Sequence, residues 1–575
     1  RFGKNGYTAL DWYNAQDPRP DYYRNLPSYF YNENSDYNRT SPMKAAWANE
    51  IWTNSESYPQ YTHIDWARLY ALNQNDVDAD GLRRAHYVQQ ERRTDQRDFN
   101  LAGNLKYKLS DALVARAGVS AKINRTEYYN IVADMLGGDY FVNIDNFADR
   151  DFAADPAKVQ NDLDWYIAHG SAQKLGVGDK YSHDYFAHVQ NYEGWVSGEY
   201  SRGNFSASLA GRLGYSTFWR EGVWKKGLFP NDSQGDSEHL KFLTYAGKAA
   251  LNYVIGGNMR VYANAGYYND APRFSQAFLS PRTRNSVASN LTTAKTFSSD
   301  VNWQYSGNGY NVRLTGFYTT IKDQTDLMSF YDDLQNAFTN FSVTGIDERH
   351  AGVEMGFKLP LPIDALSLEG ALSLGEYVYT STPRMTQTVD NSAETIIDNE
   401  EIPYWTYTPL FEKTSDGGWT DTGRQKHYVP STPQTAASLG LSWNKNYWFI
   451  DADVEYFDRS YLDMNPFYRT SQAVQGPDGV ATAEEIMYMT SQEKFDPAWL
   501  VNFSVGKSWY IHYKYQLGVN LNCKNILNNT SVKTGGYEQT RLVDNTTSKT
   551  RYYRFDPKYF YYAGFNYMIN IYFRF

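Results

Sequence analysis

Apolar and more polar positions alternate along many stretches of this chain, and the C-terminus shows the pattern clearly. In the last nine residues, YMINIYFRF, every second position is apolar or aromatic: Tyr567, Ile569, Ile571, Phe573 and Phe575. Successive side chains of a β-strand point to opposite faces, so this segment predicts a strand with one apolar face.

The same alternation recurs in segments of roughly ten residues, the length of a transmembrane β-strand. Clear examples are residues 99–109, 113–123, 205–216 and 448–456. One face of each segment is apolar and the other carries small, polar or charged side chains. Because lipid surrounds a transmembrane barrel while its lumen is wet, this pattern predicts an all-β, antiparallel transmembrane β-barrel.

The connections between the predicted strands fall into two classes that alternate along the chain. Tight turns are predicted at 110–111, 201–204, 255–258, 306–309, 361–364 and 443–446. Long connections are predicted at about 128–181, 383–425, 461–492 and 528–555. Outer-membrane barrels have short turns at the periplasmic rim and long loops outside the cell, so the spacing favours that location.

The strand count sets an expectation for the N-terminal part. Roughly fifteen strands are predicted over residues 95–575, and residues 1–94 are predicted to be an extracellular loop region with a short helical segment. Bacterial single-chain barrels have an even number of strands. Either the sequence begins inside a loop of a larger barrel, or one strand has been missed.

Composition narrows the class of protein. The 575 residues include 51 Tyr and 41 Gly but only one cysteine, Cys523, and they contain no apolar run long enough for a transmembrane helix. The net charge of −10 is spread along the chain, which argues against a nucleic-acid partner. No paired nucleophile and base and no phosphate-binding glycine loop stand out, so we expect no enzymatic activity.

Three segments resemble TonB-dependent outer-membrane receptors of the Bacteroidetes type: TALDWYNAQDPRPDYYRNLPSYF (8–30), GVNLNCKNILNNTSVKTGGYEQTR (518–541) and the terminal YFRF. The resemblance implies a barrel of 22 strands around a plugged lumen, with the plug and the TonB-contacting segment upstream of Arg1. It also implies that Tyr567, Ile569, Ile571, Phe573 and Phe575 form the signal read by the barrel-assembly machinery.

The function implied by this resemblance is TonB-dependent transport across the outer membrane of a Gram-negative bacterium. A scarce ligand would bind at the extracellular loops and pass through a plug-gated barrel, driven by the TonB complex. The alternative is a barrel that does not transport and instead serves as a scaffold for a surface lipoprotein or a secretion or assembly complex.

Aromatic residues of the long loops are candidates for ligand contact, because flat rings stack on sugar rings or other flat ligands. The candidates are Trp219, Trp224, Trp405, Trp419, Phe467 and Tyr468. The competing interpretation places those nearest to strand ends in the aromatic girdle at the membrane interface.

One acidic segment resembles the start of a calcium-binding loop. In the stretch DVDADG, Asp76, Asp78 and Asp80 occupy positions one, three and five, and Gly81 occupies position six. The twelfth position carries Tyr87 where such loops have glutamate. Calcium is therefore a possible ligand, the alternative is an ordinary Asp- and Gly-rich turn, and no other cofactor is predicted.

Overall fold

A computed structural model of the chain describes residues 2–22, 25–26, 42–332, 337–430, 432–475, 481–512, 514–539 and 554–575. Sixteen long strands in these residues form one antiparallel ladder, in which each strand pairs with the next. The strands are β1 Phe2–Trp12, β2 Tyr87–Lys108, β3 Leu113–Asp134, β4 Lys180–Arg202, β5 Phe205–Gly222, β6 Leu240–Ile255, β7 Met259–Asp270, β8 Ala294–Gly307, β9 Tyr310–Asp332, β10 Ala337–Pro360, β11 Leu366–Tyr379, β12 Thr435–Lys445, β13 Trp448–Asp458, β14 Ala498–Ile511, β15 Tyr515–Lys524 and β16 Asn566–Arg574.

The register of the ladder places the predicted apolar positions on one face. Leu517 of β15 lies opposite Phe573 of β16, whereas Gln516 lies opposite Arg574. Directly opposite residues of an antiparallel pair share a face, so the apolar and polar sets lie on opposite sides of the wall. Phe573 is 55% exposed, as expected for a ring that contacts lipid and not a protein core.

The two rims differ in the length of their connections, which confirms the prediction. Seven connections on one rim have five residues or fewer; they are 109–112, 203–204, 256–258, 308–309, 361–365, 446–447 and 512–514. In one of them Asn308 and Gly309 both have positive φ, the conformation of a two-residue type I′ hairpin. The opposite rim carries the connections 13–86, 135–179, 223–239, 271–293, 380–434, 459–497 and 525–565. Residues 333–336, between β9 and β10, and parts of 461–492 and 528–555 lie outside the described residues.

Several strands continue beyond the length needed to cross the bilayer, which is about 9–11 residues. In β2 the outward face carries Phe99 and Leu101 near the short turn, but Arg93 and Asp95 farther up, where they form an ion pair. Charged residues on that face belong outside the hydrocarbon layer. The upper parts of the strands therefore form a collar between the membrane and the long loops.

The prediction that residues 1–94 contain no barrel strand is wrong. Residues Phe2–Trp12 form β1, which pairs with residues 87–97 of β2, and β2 begins at Tyr87 rather than near residue 95. Since β1 pairs with the collar part of β2, its outward face is not required to be apolar, and its sequence lacks the alternation that marks membrane strands. One strand was missed, and the described strands number sixteen.

The long connections contain their own short elements. Helices span Pro42–Thr53, Pro59–Thr62, Trp66–Asn75, Asn146–Phe152, Leu163–His169 and Ala483–Thr490, and short 3₁₀ helices span Ser55–Ser57, Phe274–Gln276 and Pro466–Arg469. Short strands span Phe141–Val142, Lys174–Leu175, Gly235–Asp236, Arg384–Val389, Thr395–Glu401, Tyr407–Lys413, Trp419–Lys426, Lys533–Tyr537 and Lys558–Tyr561. Among the described helices none has the length and apolar character to cross a membrane.

Buried apolar side chains concentrate on the long-loop side. One cluster joins β10 to the connections 380–434 and 459–497, and includes Phe341, Met385, Trp405 and Tyr468. A second cluster joins the collar parts of β2 and β3 to the connections on either side, and includes Val88, Val132 and Phe141. The loops thus have packed cores that hold them over the barrel and position the side chains around its mouth.

Candidate functional site

A cavity of about 960 Å³ lies inside the collar, at the mouth of the barrel on the long-loop side. We refer to it as the mouth cavity. Six strands, β1 to β4, β9 and β10, and the connections 13–86, 135–179, 223–239, 271–293 and 380–434 contribute to its wall. Polar and charged lining residues include Asp11, Arg92, Asn130, His183, Lys226 and Arg282.

Strand register directs the collar residues into this cavity. Arg92 of β2 lies opposite Asn130 of β3 and opposite Tyr7 of β1. Arg92 lies seven positions before the lipid-facing Phe99, and residues an odd number of positions apart on a strand face opposite sides, so its side chain points inward. The guanidinium of Arg92 donates to the Tyr7 hydroxyl at 3.2 Å.

An irregularity in β4 brings two further side chains inside. Ser182 has a φ of 65°, and the pairing of β3 with β4 shifts register between Tyr129 and Asn130. As a result Tyr181 and His183, on either side of Ser182, are both buried. The Tyr181 hydroxyl donates to the Asp11 carboxylate at 2.6 Å, which joins β4 to β1 across the cavity wall.

Lys226 is a buried cation at the base of the connection 223–239. Its ammonium donates to the Asn161 side-chain oxygen at 2.8 Å and to the carbonyl of Ser182. Burial lowers the pKa of Lys226 to about 8, although the Asp145 carboxylate opposes this shift. The ammonium remains mostly protonated at neutral pH, so it is a positive charge held by neutral oxygens.

Asp145, in the connection 135–179, caps the helix Asn146–Phe152. Its carboxylate accepts hydrogen bonds from the backbone amides of Phe147 at 3.0 Å and Ala148 at 3.1 Å. Burial raises the pKa of Asp145, with the Lys226 charge acting in the other direction. This carboxylate satisfies the helix N-terminus and forms no ion pair with Lys226.

Arg220 lies behind the cavity wall and holds the loop that carries Arg282. The Arg220 guanidinium donates to the carbonyls of Pro281 at 2.6 Å and Ser233 at 2.8 Å, and also to the Asn285 side-chain oxygen. Arg282 itself is exposed and lines the cavity. Because Arg220 fixes the loop on both sides of Arg282, it is a positioning residue for that side chain.

The surrounding cations affect the pKa of His183. It lies in the collar, above the membrane-spanning part of β4. Burial holds the pKa of His183 well below its usual range, and the charges of Arg282, Lys226, Arg92 and Arg220 lower it further. The imidazole is therefore neutral at physiological pH, and the positive charges on this side of the mouth cavity are those of Arg282, Lys226 and Arg92.

A protein-family model described as TonB dependent receptor-like, beta-barrel matches residues 1–526, which is most of the chain. The chain belongs to this family. Barrels of TonB-dependent receptors reside in the outer membrane of Gram-negative bacteria, which confirms the predicted family, fold and location. Membership in a receptor family also agrees with the expectation that the chain is not an enzyme. The Bacteroidetes type stays a prediction.

Solved structures similar to this receptor barrel include several transporters. The copper transporter OprC is 12% identical, with 84% of this chain and 57% of that chain covered and a TM-score of 0.48. The ferric citrate transporter FecA in the unliganded form is 10% identical, with 85% of this chain and 56% of that chain covered and a TM-score of 0.49. The ferric yersiniabactin uptake receptor FyuA from Yersinia pestis is 10% identical, with 84% of this chain and 55% of that chain covered and a TM-score of 0.45. The chain spans little more than half the length of each of these chains. No curated protein matches the sequence. The assignment rests on the family model.

Three of the predicted ligand-contacting aromatics lie together inside the loop core of this receptor barrel. Trp405, Phe467 and Tyr468 are at most 2% exposed and belong to one cluster of packed apolar side chains. The Tyr468 hydroxyl also donates to the Gln539 carbonyl at 2.6 Å. In this conformation their rings pack the loops against one another and present no open face to a ligand.

The other three predicted aromatics lie apart from one another and outside the wall of the mouth cavity. Trp219 lies opposite His188 on the outward face of β5, stacked between the rings of His188 and His239 at 4.6 and 4.2 Å. Trp419 is on an exposed loop hairpin beside Lys413. Trp224 is half-buried in the connection 223–239. A ligand-binding role for these residues stays a prediction, and the position of Trp219 suits the alternative of an interfacial aromatic.

The three aspartates of the predicted calcium site have protein partners. The Asp78 carboxylate lies 2.8 Å from the Lys174 ammonium, which is also 3.7 Å from the Asp80 carboxylate. Asp76 lies 2.8 Å from the His86 imidazole. The described residues contain no group of three or more His, Cys, Asp or Glu side chains that could hold a metal ion. Calcium binding stays a prediction, and Lys174 already supplies a positive charge to two of the carboxylates.

The predicted assembly signal lies on the outward face of β16. Tyr567, Ile569, Ile571 and Phe573 lie opposite Cys523, Leu521, Val519 and Leu517 of β15, and Phe573 stacks on Phe575 with ring centroids 6.4 Å apart. The five residues form one exposed apolar stripe at the end of the chain. Their recognition by the assembly machinery stays a prediction.

The residues of the mouth cavity were not identified from the sequence. They come from segments that are far apart in the chain, and single cations such as Lys226 and Arg282 carry no local motif. One signal was present: the segment 220–226, REGVWKK, places three cations around a long-loop base. By itself this pattern is indistinguishable from a solvated loop surface.

Proposed function

We propose that the protein is the barrel of an outer-membrane transporter that captures a scarce ligand in the mouth cavity and imports it. The observation that carries this proposal is the cavity itself, which lies inside the loop collar of a TonB-dependent receptor barrel. Its polar lining comes from β1, β2, β3, β4 and several loops. A site formed by many segments at the mouth suits capture of a ligand from outside.

Import through such a barrel requires energy from the inner membrane. Transporters with 22 strands enclose a lumen wide enough to need a plug. Ligand capture at the mouth and movement of that plug are separable steps, and the TonB complex would drive the second. The complete protein would thus bind its ligand without energy and import it only when TonB is engaged.

The test uses cells that express the complete protein and a matched variant lacking only its TonB-contacting segment. Both strains are incubated in a defined mixture of sugars, peptides, vitamins and metal chelates, and the depletion of each solute is followed by mass spectrometry. We expect at least one solute to be depleted by the complete protein and spared by the variant. Equal depletion would indicate passive diffusion, and no depletion by either strain would favour the scaffold function.

A further inference from the structure

Three cations beside the mouth cavity are buried and form no hydrogen bond or ion pair with a carboxylate of the described residues. Lys226, Arg220 and Arg284 are 5%, 2% and 1% exposed. Lys226 and Arg220 donate only to carbonyl and amide oxygens. Arg284 donates to the backbone carbonyl of Asp390, and its Nε and Nη2 atoms have no hydrogen-bond partner in the described structure.

In the loop core, by contrast, a buried cation has a carboxylate partner. Arg469, also fully buried, forms an ion pair with the Glu538 carboxylate within the loop core. A buried charge with only neutral partners costs folding free energy, because dipoles replace only part of its hydration. No described carboxylate pairs directly with the three cations beside the mouth cavity, and Asp145, Asp232 and Asp390 act on them only at longer range.

The carboxylates that line the cavity are already engaged. Asp17 pairs with Arg19, Asp145 caps a helix, and Asp11 accepts from Tyr181. The Asp390 side chain accepts from Asn340 at 3.0 Å. By contrast, Arg282 forms no hydrogen bond or ion pair within the described ranges, and it faces the cavity together with Lys226 and Arg92.

We infer that the mouth cavity binds a soluble ligand that carries a carboxylate, sulfate or phosphate group, held by Lys226, Arg282 and Arg92. This inference rests on the proposed function and names the chemical class of its ligand. An anionic group would accept charge-assisted hydrogen bonds from the three cations and compensate the buried charges of Lys226 and Arg220. Because Arg92 lies on the inner face of the collar, the ligand enters from the loop side and not from the lipid.

The experiment measures binding of pyrenetetrasulfonate, a fluorescent polyanion, to the purified complete protein in detergent by fluorescence anisotropy. We expect saturable binding that inositol hexakisphosphate displaces and that uncharged inositol does not. Lys226→Met and Arg282→Gln should each weaken binding about tenfold, the effect of losing one charge-assisted hydrogen bond. Lys225→Gln is the matched control, because Lys225 is the preceding residue but lies beside Asp164 at 3.9 Å.

Folding of each variant is verified by its heat-modifiable migration in gels. Lys226→Met removes a buried charge with little change in volume, and Arg282→Gln changes an exposed residue, so at least one variant should fold. Unchanged binding by a folded variant would overturn the inference, as would equal loss in Lys225→Gln. Displacement by lipopolysaccharide but not by inositol hexakisphosphate would overturn the assignment to a soluble ligand.

The outcome is separable from that of the transport experiment. Energy-dependent depletion of a neutral solute, without anion binding by the purified protein, would refute the anionic ligand and leave transport standing. Anion binding that depends on Lys226 and Arg282, without TonB-dependent depletion of any solute, would refute transport and support the binding site.

Discussion

The guanidinium of Arg469 and the carboxylate of Glu538 form a fully buried ion pair that joins two loops of the barrel mouth. Arg469 Nη2 donates to Glu538 Oε1 at 2.9 Å, and Arg554 donates to the same oxygen at 2.5 Å. The pair connects the segment 459–475 to the segment 525–539. One carboxylate therefore compensates two cations in the loop core.

Glu538→Gln should open this part of the loop core. The change preserves shape but leaves Arg469 and Arg554 without an anion, and breaking a buried ion pair costs about 3–5 kcal/mol. Protection of residues 459–475 from proteolysis and hydrogen exchange should fall accordingly. Glu401→Gln is the control, since Glu401 pairs with Arg384 at an exposed site and its loss should cost at most about 1 kcal/mol. Equal protection in both variants would contradict the prediction.

Asp463, in the same loop core, should make stability depend on pH. Burial, followed by the charges of Asp326 and Glu538, raises the pKa of Asp463 to about 7. The folded state therefore keeps this proton at a pH where the unfolded chain has lost it. The raised pKa of Asp463 therefore stabilises the folded loops. This contribution to the free energy of unfolding is fully present below pH 4 and is lost as the pH rises through 7.

Replacing Asp463 by Asn removes this dependence. The variant should be more resistant to loop proteolysis than the unmodified protein at pH 8, by about 4 kcal/mol, and should show little difference at pH 4. Protease protection measured across this pH range tests the prediction. Asp496→Asn, at an exposed position of the same connection, should change neither value. A gain that is the same at both pH values would show that the ionised carboxylate is not the cause.

Labelling of single cysteines should distinguish the two faces of the barrel wall. In a background that lacks Cys523, cysteines at Leu209, Val454, Leu517, Ile571, Phe573 and Phe575 should react with lipid-soluble reagents. Cysteines at Arg212, Asp453, Gln516 and Asn570 should react with aqueous reagents. The register that pairs Val454 with Leu439 and Asp453 with Gly440 supports this division. A reversed pattern of reactivity would refute the register.

Calcium at the acidic turn would have to displace Lys174. If Asp76, Asp78 and Asp80 bind the ion, calcium should protect residues 70–90 from proteases, and changing the three residues to Asn should remove that protection. Lys174→Met should then increase calcium affinity, because the ammonium that lies 2.8 Å from Asp78 is gone. Protection that is unaffected by chelators in the unmodified protein would identify a turn held by Lys174 alone.

Phe575 should contribute to barrel assembly. Changing Phe575 to Ser removes the last ring of the apolar stripe on β16, and we expect less folded, heat-modifiable barrel in the outer membrane. Phe560→Ser is the control, because Phe560 is also an exposed ring but lies on a loop strand. If both variants accumulate to the level of the unmodified protein, the terminal stripe has no role in assembly.

The sequence by itself determined which side of the wall a strand residue faces. Lipid contacts only one face of a membrane strand, so the requirement for apolar side chains has a period of two residues and is visible locally. Ile571 and Phe573, predicted on the apolar face, lie opposite Val519 and Leu517 of β15 for this reason. The separation of short turns from long connections was equally visible, because it depends on the spacing of the same alternating segments.

Where lipid imposes no pattern, the sequence does not mark a strand or the role of an aromatic side chain. Strand β1 pairs with the collar part of β2 and was assigned to a loop. The candidates for ligand contact include Trp405, Phe467 and Tyr468, whose rings pack the loop core in this structure. Composition cannot distinguish a ring that contacts ligand from one that holds two loops together.

Only the tertiary structure decided which polar residues meet at the mouth. Tyr181 reaches Asp11 across 170 positions of the chain, and Lys226 reaches Asn161 across 65. These contacts depend on the ladder register, on the irregularity at Ser182 and on the packing of long loops. None of these leaves a periodic trace in the sequence, because each is set by residues that are distant in the chain and adjacent only after folding.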